Sequence, residues 1–218
     1  MQFDKLKKNV SLAALDYIPS NAIIGFGSGS TIIYFIEALY KSKKKILGAV
    51  SSSHYTTIIL HKYGIPVFAL GAICDPIIYI DSADEINHNL EMIKGGGGAL
   101  TNEKIISSIA EKFICIVHES KLVKQLGQFP LPIEIIPMAY TYVLKKIVQL
   151  GGTPKYREGY VTDHGNIIID VYNLNLSCPV FIEQKINSIP GVVTVGLFTK
   201  NKADMVLIGT KSGIQILK

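Results

Sequence analysis

Length, composition and charge argue against several classes of protein. At 218 residues the chain has room for one large domain or two small ones, and its 48% hydrophobic and 18% charged residues argue against disorder. The net charge of +5 is carried almost wholly by lysine, with Arg157 the only arginine. That shortage disfavours sequence-specific DNA binding, while the mild basic excess suits a small anionic substrate.

The cysteines and the hydropathy pattern indicate the compartment. Cys74, Cys115 and Cys178 are far apart and odd in number, and no CxxC or Cys/His cluster accompanies them, so we predict neither a disulfide framework nor a zinc site. The N-terminal segment lacks an apolar signal region, and no apolar run approaches the ~20 residues that a membrane span needs. We expect a soluble, cytoplasmic protein without membrane or nucleic-acid partners.

The first half of the chain alternates between helical and strand-like segments. Residues 3–18 have a helical rhythm of apolar positions. Predicted strands follow at residues 22–27, 46–51, 66–70, 77–81 and 113–118, with helices at 31–40, 54–62 and 102–112. Because apolar runs such as IIYI and FICIV are typical of strands buried on both faces, the pattern predicts a Rossmann-like α/β domain with a parallel sheet. Ligands of such sheets bind at the carboxyl ends of the strands.

The pattern changes after about residue 126. It predicts strands at 133–137, 156–162, 167–172 and 192–198 and helices at 139–150 and 180–189, with DHGN as a hairpin turn. This β-α-β-β-α-β order is the ferredoxin-like arrangement. Two short strands in 204–218 are assigned back to the first domain. The predicted domains are therefore residues 1–126 plus 199–218, Rossmann-like, and 127–198, a smaller ferredoxin-like α+β lid.

The first candidate site segment is the glycine-rich loop GFGSGST, between a predicted strand and a predicted helix. Glycines let backbone N–H groups turn towards an anion, and the helix N-terminus adds a favourable dipole. Ser28, Gly29, Ser30 and Thr31 offer amide and hydroxyl donors to a phosphate. The GxGxxG fingerprint fails at Ser30, and the Walker pattern lacks its Gly-Lys-Ser/Thr. A plain strand–helix turn is the alternative.

Two further segments carry the charged groups. IDSADEIN places Asp81, Asp84 and Glu85 at the end of an apolar strand. Three interpretations of this acidic cluster are open: binding of sugar hydroxyls, capping of the next helix, or coordination of a divalent metal. MIKGGGGALTNEK follows with Lys94 before four glycines and Glu103 in the first turn of a predicted helix. A flexible linker and a favourable charge at the helix N-terminus are the ordinary explanations for these two features.

Taken together, these segments contain the groups that enolisation of a sugar phosphate requires. They supply an anion cradle, hydroxyl-binding carboxylates, a cation and a separate carboxylate, all where an α/β sheet binds its ligand. Enolisation needs a base for the α-proton and polar or charged groups for the developing oxyanion.

These stretches resemble the signature motifs of the A-type ribose-5-phosphate isomerases. The similarity covers nearly the whole chain in order, through GFGSGST, IDSADEIN, MIKGGGGALTNEK, SKLVKQLGQFPLPIEIIPMA, LGGTPKYREGYVTDHGN and NSIPGVVTVGLF. It implies interconversion of D-ribose 5-phosphate and D-ribulose 5-phosphate in the non-oxidative pentose phosphate pathway, without a metal or organic cofactor. It also implies a homodimer, with a homotetramer as the alternative.

The resemblance assigns roles residue by residue. Glu103 matches the catalytic base, and Asp81, Asp84 and Lys94 are its candidate catalytic partners. The matching substrate-binding residues are Ser28, Gly29, Ser30, Thr31, Asp81, Ser82, Ala83, Asp84, Lys94, Gly95, Gly96, Gly97 and Lys121. The chain departs from the family at Ser82, where glycine is usual, at Gly98, where alanine is usual, and at Tyr140, where a basic residue is common.

The resulting hypothesis is a one-base mechanism. Asp81 or Asp84 assists opening of the furanose, and Glu103 removes the C2 proton to give a cis-enediolate. Lys94 and the glycine-loop amides stabilise the oxyanion, and Glu103 returns the proton to C1. Two other functions remain open: a coenzyme A transferase with a nucleophilic glutamate, and a non-catalytic sugar-phosphate sensor.

Overall fold

The computed structural model describes residues 2–73 and 77–218, so Cys74 lies outside the described residues. The described helices are α1 (Gln2–Ala14), α2 (Ser30–Ser42), α3 (His54–Lys62), α4 (Leu100–Ile109), α5 (Tyr140–Gln149) and α6 (Pro179–Asn187). The described strands are β1 (Ile23–Phe26), β2 (Gly48–Ser51), β3 (Ile78–Asp81), β4 (Glu85–Ile86), β5 (Met92–Ile93), β6 (Lys112–His118), β7 (Leu131–Ile135), β8 (Thr153–Tyr156), β9 (Ile167–Tyr172), β10 (Val192–Val195), β11 (Leu197–Phe198), β12 (Met205–Thr210) and β13 (Gly213–Leu217).

The first of two compact units contains Met1–Ala83, Ile105–Lys121 and Ala203–Lys218. Its sheet has the strand order β13-β12-β6-β3-β1-β2, in which every neighbouring pair is parallel except β12 and β13. Strands β1, β3 and β6 are almost wholly buried, as their apolar runs predict. The predicted parallel-sheet α/β fold class is therefore confirmed.

The second unit contains Asp84–Lys104 and Leu122–Lys202. Strands β7 to β10 and helices α5 and α6 follow one another in the predicted β-α-β-β-α-β order. The four strands form an antiparallel sheet of order β10-β7-β9-β8. A buried apolar cluster that includes Ile133, Val143 and Ile186 packs within this unit. The ferredoxin-like prediction is confirmed at this level.

The contact-defined units depart from the predicted domains mainly in the segment Asp84–Lys104, which belongs to the second unit. The reason is a small third sheet of order β11-β5-β4, which the sequence pattern did not reveal. Strands β4 and β5 have two residues each, too few to show a hydrophobic period.

Two predicted strands are wrong. Residues 66–70 form no strand, and only an isolated bridge joins Val67 to Ala49. Residues 157–162 are also irregular, because the strand before the turn is Thr153–Tyr156 and its last pair is Tyr156 with Ile169. The turn at DHGN is present nevertheless, since the amide of Thr162 donates to Asn166 O at 2.9 Å.

The predicted strand at 192–198 is split into β10 and β11 at Gly196. The amide of Gly196 donates to Pro132 O at 2.8 Å, and its carbonyl accepts from the amide of Lys94 at 2.9 Å. A Cβ added at this position would lie 2.3 Å from Lys94 O and 2.9 Å from Pro132 O. Since both neighbours are backbone atoms, glycine is what allows three segments to approach this closely.

Gly196→Ala is therefore expected to lower the free energy of unfolding by about 1–3 kcal/mol, the usual cost of overpacking, because backbone must move to admit the methyl group. Urea denaturation followed by circular dichroism measures the change. Gly71→Ala is the matched control, since a Cβ there meets nothing within 4 Å. Equal stability of the two variants would contradict the close-approach interpretation.

Candidate active site

In the first unit, the predicted phosphate-binding and acidic residues lie at the carboxyl ends of adjacent parallel strands. Residues 28–31 follow β1, Asp81 ends β3, and Lys121 lies just after β6. Because β6, β3 and β1 are neighbours in the sheet, these chain segments leave it at the same edge. This is the edge at which open α/β sheets bind ligands.

Asp81 is fully buried and ties the glycine-rich loop to the acidic turn. Its Oδ1 accepts hydrogen bonds from the amides of Ser28, at 3.1 Å, and Ser82, at 2.7 Å, and its Oδ2 accepts one from the hydroxyl of Tyr79. A Cβ on Gly27 would lie 1.7 Å from Oδ1, so glycine there makes room for the carboxylate. Asp81 therefore organises the loop through its own contacts.

Ser82, one of the departures from the family, adds a contact to this arrangement. Its hydroxyl donates to Ser28 O at 3.4 Å, a second link between the acidic turn and the glycine-rich loop. The Ser82 side chain therefore reinforces the acidic turn and does not displace Asp81. The Asp81 carboxylate keeps its hydrogen bonds to the glycine-rich loop and to the acidic turn.

The glycine-rich loop leads into the N-terminus of α2. Gly29 has a φ of 90°, a conformation that favours glycine, and its carbonyl accepts the first helical bond from Ile32 at 3.1 Å. Ser30 begins the helix, and its hydroxyl accepts a hydrogen bond from Lys7 Nζ of α1 at 3.0 Å. A helix N-terminus with a nearby ammonium group is well suited to an anion.

A basic cluster also forms around the end of β6. His118 is buried, its Nδ1 lies 2.9 Å from the Ser120 hydroxyl, and its ring packs against Phe3 at 4.8 Å between centroids. Burial lowers the pKa of His118, and the positive charges of Lys121 and Lys7 lower it further. The prediction from sequence included Lys121 but neither Lys7 nor His118, because no local pattern indicates that α1 packs here.

The lowered pKa of His118 predicts a specific pH dependence of stability. Since the unfolded chain binds the imidazole proton more readily than the folded chain, folding stability should fall as the pH drops below about 6.5. Glu119 opposes the shift, and Lys7 and Lys121 drive it together with burial. We expect the loss of unfolding free energy between pH 7.5 and 5.5, measured in urea, to be smaller in His118→Gln than in the unsubstituted protein.

The matched control is His61→Gln, at an exposed position of α3, which should leave the difference between the two pH values unchanged. An identical loss in His118→Gln and the unsubstituted protein would contradict the interpretation of His118 as a buried, neutral imidazole.

In the second unit, Lys94 and Glu103 form a buried ion pair. Lys94 directly follows β5, and Glu103 lies in the first turn of α4. Lys94 Nζ is 3.3 Å from Glu103 Oε2, and the two side chains are only 2% and 4% exposed. Burying either charge alone would be costly, so each stabilises the other in its ionised form. The structure therefore brings together the predicted cation and the predicted base.

Asp84 holds the glycine loop, residues 95–98, in the same unit. The amide of Gly96 donates to Asp84 Oδ2 at 2.7 Å, and the amide of Gly98 closes a turn by donating to Gly95 O at 2.9 Å. A Cβ on Gly96 would lie 2.6 Å from Asp84 Oδ1. Gly96 and Gly97 are exposed, whereas Gly95 is buried.

Gly98, another departure from the family, is explained by Tyr160. The Tyr160 hydroxyl donates to Gly97 O at 3.0 Å, and a Cβ on Gly98 would lie 2.0 Å from that hydroxyl oxygen. Gly98 also has a φ of +81°, which disfavours alanine. No contact in the structure accounts for Tyr140, although its ring packs against that of Tyr156 at 5.8 Å.

Among the described residues, no group of three or more His, Cys, Asp or Glu side chains could hold a metal ion. None of the helices in residues 2–73 and 77–218 is both long enough and apolar enough to cross a membrane.

The fold and these groups define a class of protein. A strand–helix junction suited to an anion in the first unit, and a buried carboxylate beside a lysine in the second, are groups that an α/β enzyme would need to transfer protons on a small anionic substrate. Residues 48–213 match the family described as Ribose 5-phosphate isomerase A (phosphoriboisomerase A). The chain belongs to this family.

Individual relatives are similar to this chain over nearly its whole length. It is 59% identical to Ribose-5-phosphate isomerase A of Buchnera aphidicola subsp. Acyrthosiphon pisum, covering 100% of this chain and 97% of the relative. The solved ribose 5 phosphate isomerase A from Neisseria gonorrhoeae is 48% identical, with a TM-score of 0.96 over 98% of this chain and 96% of that one. A D-ribose-5-phosphate isomerase in complex with phospho-erythronic acid is 36% identical, with a TM-score of 0.94 over 100% of both chains.

Proposed function

We propose that the protein interconverts D-ribose 5-phosphate and D-ribulose 5-phosphate. The observation that carries this proposal is the buried ion pair of Glu103 and Lys94 in a chain of the ribose 5-phosphate isomerase A family. The reaction moves a proton between adjacent carbons, so it needs one base and a group that stabilises the charge on oxygen.

Glu103 is the proposed base. Once the sugar is in its open form, the carboxylate removes the C2 proton to give a cis-enediolate, a proton passes from O2 to O1, and the carboxylate then returns a proton to C1. The position of Glu103 in the first turn of α4 and its ion pair with Lys94 both favour the ionised form that a base requires. A single carboxylate suffices because C1 and C2 are adjacent and their protons can lie on one face.

Lys94 and the amides of the glycine loop are the proposed oxyanion-stabilising groups. The backbone amide of Lys94 donates a hydrogen bond to Gly196 O, which fixes the backbone at the end of β5. The ion pair with Glu103 holds the ammonium group in place. The neighbouring solved isomerase binds phospho-erythronic acid. That compound has a carboxylate at C1 next to the C2 hydroxyl, so it resembles the negatively charged end of an enediolate, which supports this assignment.

The remaining site residues are assigned to binding and ring opening. Residues 28–31 and Lys121 are proposed to hold the phosphate, because a helix N-terminus and an ammonium group both attract it. Asp81 and Asp84 are proposed to bind sugar hydroxyls and to assist ring opening. Asp81 accepts hydrogen bonds from two backbone amides, whereas Asp84 accepts one from the amide of Gly96, so Asp84 is the better candidate for accepting the anomeric hydroxyl proton.

The family resemblance also supports three broader proposals: action in the non-oxidative pentose phosphate pathway, a cytoplasmic location and a homodimer, with a homotetramer as the alternative. Size-exclusion chromatography with light scattering measures the assembly directly.

Glu103→Gln is expected to lower kcat by about 10²–10⁴-fold, since a positioned base contributes that much. The glutamine keeps the shape of the side chain but cannot take a proton. The measurement is ribulose 5-phosphate formation from ribose 5-phosphate, with circular dichroism to establish that the variant is folded. Glu111→Gln, at an exposed glutamate after α4, is the matched control and should retain full activity. A folded Glu103→Gln variant with more than about a tenth of the original kcat would refute the assignment.

A further inference from the structure

The three carbonyl groups of Gly95, Gly96 and Gly97 all accept hydrogen bonds from the irregular segment that follows β8. Arg157 Nη1 donates to Gly95 O at 3.1 Å and to Gly96 O at 3.2 Å. The Tyr160 hydroxyl donates to Gly97 O at 3.0 Å. Arg157 is the only arginine of the chain, and it lies 61 or more residues from the carbonyls that it contacts.

The guanidinium group of Arg157 is itself held in place. Its Nε donates to Asp170 Oδ2 at 2.9 Å, and its Nη2 donates to Asp170 Oδ1, so the pair is bidentate. Both side chains are 17% exposed. The backbone amide of Arg157 donates to Ile168 O at 2.9 Å, which fixes the start of the side chain as well. A bidentate pair sets the orientation of the guanidinium plane, which a lysine cannot reproduce.

The orientation of these carbonyls determines where the loop amides point. In a trans peptide the N–H group points away from the carbonyl oxygen of the same peptide unit. Holding Gly95 O and Gly96 O against Arg157 therefore turns the amides of Gly96 and Gly97 to the other side. The first of these reaches Asp84 Oδ2. The amide of Gly97 has no acceptor among the residues that the structure describes, and Gly97 is exposed.

The same contacts offset the flexibility of the glycines. Four consecutive glycines lose more conformational entropy on ordering than any other residues, so an unsupported loop would be mobile. Side chains cannot replace them here, because Gly95 and Gly98 have positive φ angles and a Cβ on Gly96 would collide with Asp84. The positive charge of Arg157 on two carbonyls also polarises the attached amides, which makes them stronger donors.

We propose that Arg157 is a positioning residue of the isomerisation: through its contacts with the glycine loop it presents the amide of Gly97 to the oxygen that becomes negatively charged. Asp170 orients Arg157, and Tyr160 holds the next carbonyl. This inference rests on the proposed isomerase function and adds to it a residue that does not itself touch the substrate.

The test is steady-state kinetics of Arg157→Gln. Losing one oxyanion donor, or misplacing it by about 1 Å, lowers the rate by about 10²-fold. We expect kcat to fall by about that factor while KM changes by less than about threefold, because the side chain of Arg157 donates to the glycine loop and to Asp170, all within the second unit. Arg157→Lys keeps the charge but not the bidentate geometry, and its kcat should lie between those of Arg157→Gln and the unsubstituted protein.

Val171→Ala is the control for a purely structural role. Val171 is a buried residue of β9, next to Asp170, and its truncation weakens the same sheet without removing any hydrogen bond to the glycine loop. We expect Val171→Ala to lower Tm and to keep its kcat at temperatures well below Tm. Hydrogen exchange of the Gly96 amide, which donates to Asp84 Oδ2, should become faster in Arg157→Gln and stay unchanged in Val171→Ala when followed by NMR.

Two results would overturn the proposal: a kcat of Arg157→Gln within about twofold of the original, or an equal loss of kcat in Val171→Ala at a temperature where both variants are folded. Failure of the proposed function is distinguishable from either, because the unsubstituted protein would then produce no ribulose 5-phosphate.

Discussion

Burial of the Lys94–Glu103 ion pair is the constraint on which the arrangement of the second unit depends. A carboxylate with an exposed fraction of 4% is stabilised in its charged form by a neighbouring cation, and a lysine at 2% is stabilised in the same way by an anion. Both side chains must therefore be held at fixed positions. The strand pairing of β5 with β11 fixes the backbone before Lys94, and α4 fixes that of Glu103.

A second, largely buried charge anchors the helix that carries Glu103, the proposed base. Lys104, the residue after Glu103, donates to Glu183 Oε1 at 2.7 Å and to the carbonyls of Val195 and Leu197 at 2.9 and 2.6 Å. Burial lowers the pKa of Lys104, and the carboxylate of Glu183 opposes that shift. Through these bonds the first turn of α4 is tied to α6, β10 and β11, so the base is supported by elements distant in the chain.

A buried carboxyl group holds the same helix from another side. Glu134 of β7 is 1% exposed and accepts hydrogen bonds from Thr101, near the start of α4, and from Thr162 and Asn166 beside the hairpin turn. Glu183 and Glu134 each accept hydrogen bonds from several donors, as buried polar groups require. The ferredoxin-like unit thus does more than cover apolar surface, because its buried charges orient the helix that carries Glu103.

The sequence was sufficient for the features that have a local signal. Apolar runs and helical periods predicted the parallel sheet and the β-α-β-β-α-β order, because burial patterns repeat within each element. The short strands β4 and β5 were missed, since two residues show no period. The contacts of Lys7 with Ser30 and of Arg157 with the glycine loop were missed for a different reason: each joins residues far apart in the chain, and only tertiary packing selects the partner.

The most direct test of the central claim, that one fixed carboxylate moves the proton, is isomerisation of ribose 5-phosphate in ²H₂O followed by NMR. The account predicts that, over many turnovers, deuterium enters only one of the two C1 positions of ribulose 5-phosphate, because Glu103 works from one face and exchanges its proton with solvent. Equal labelling of both C1 positions would contradict it, because a single base on one face delivers deuterium to only one of them.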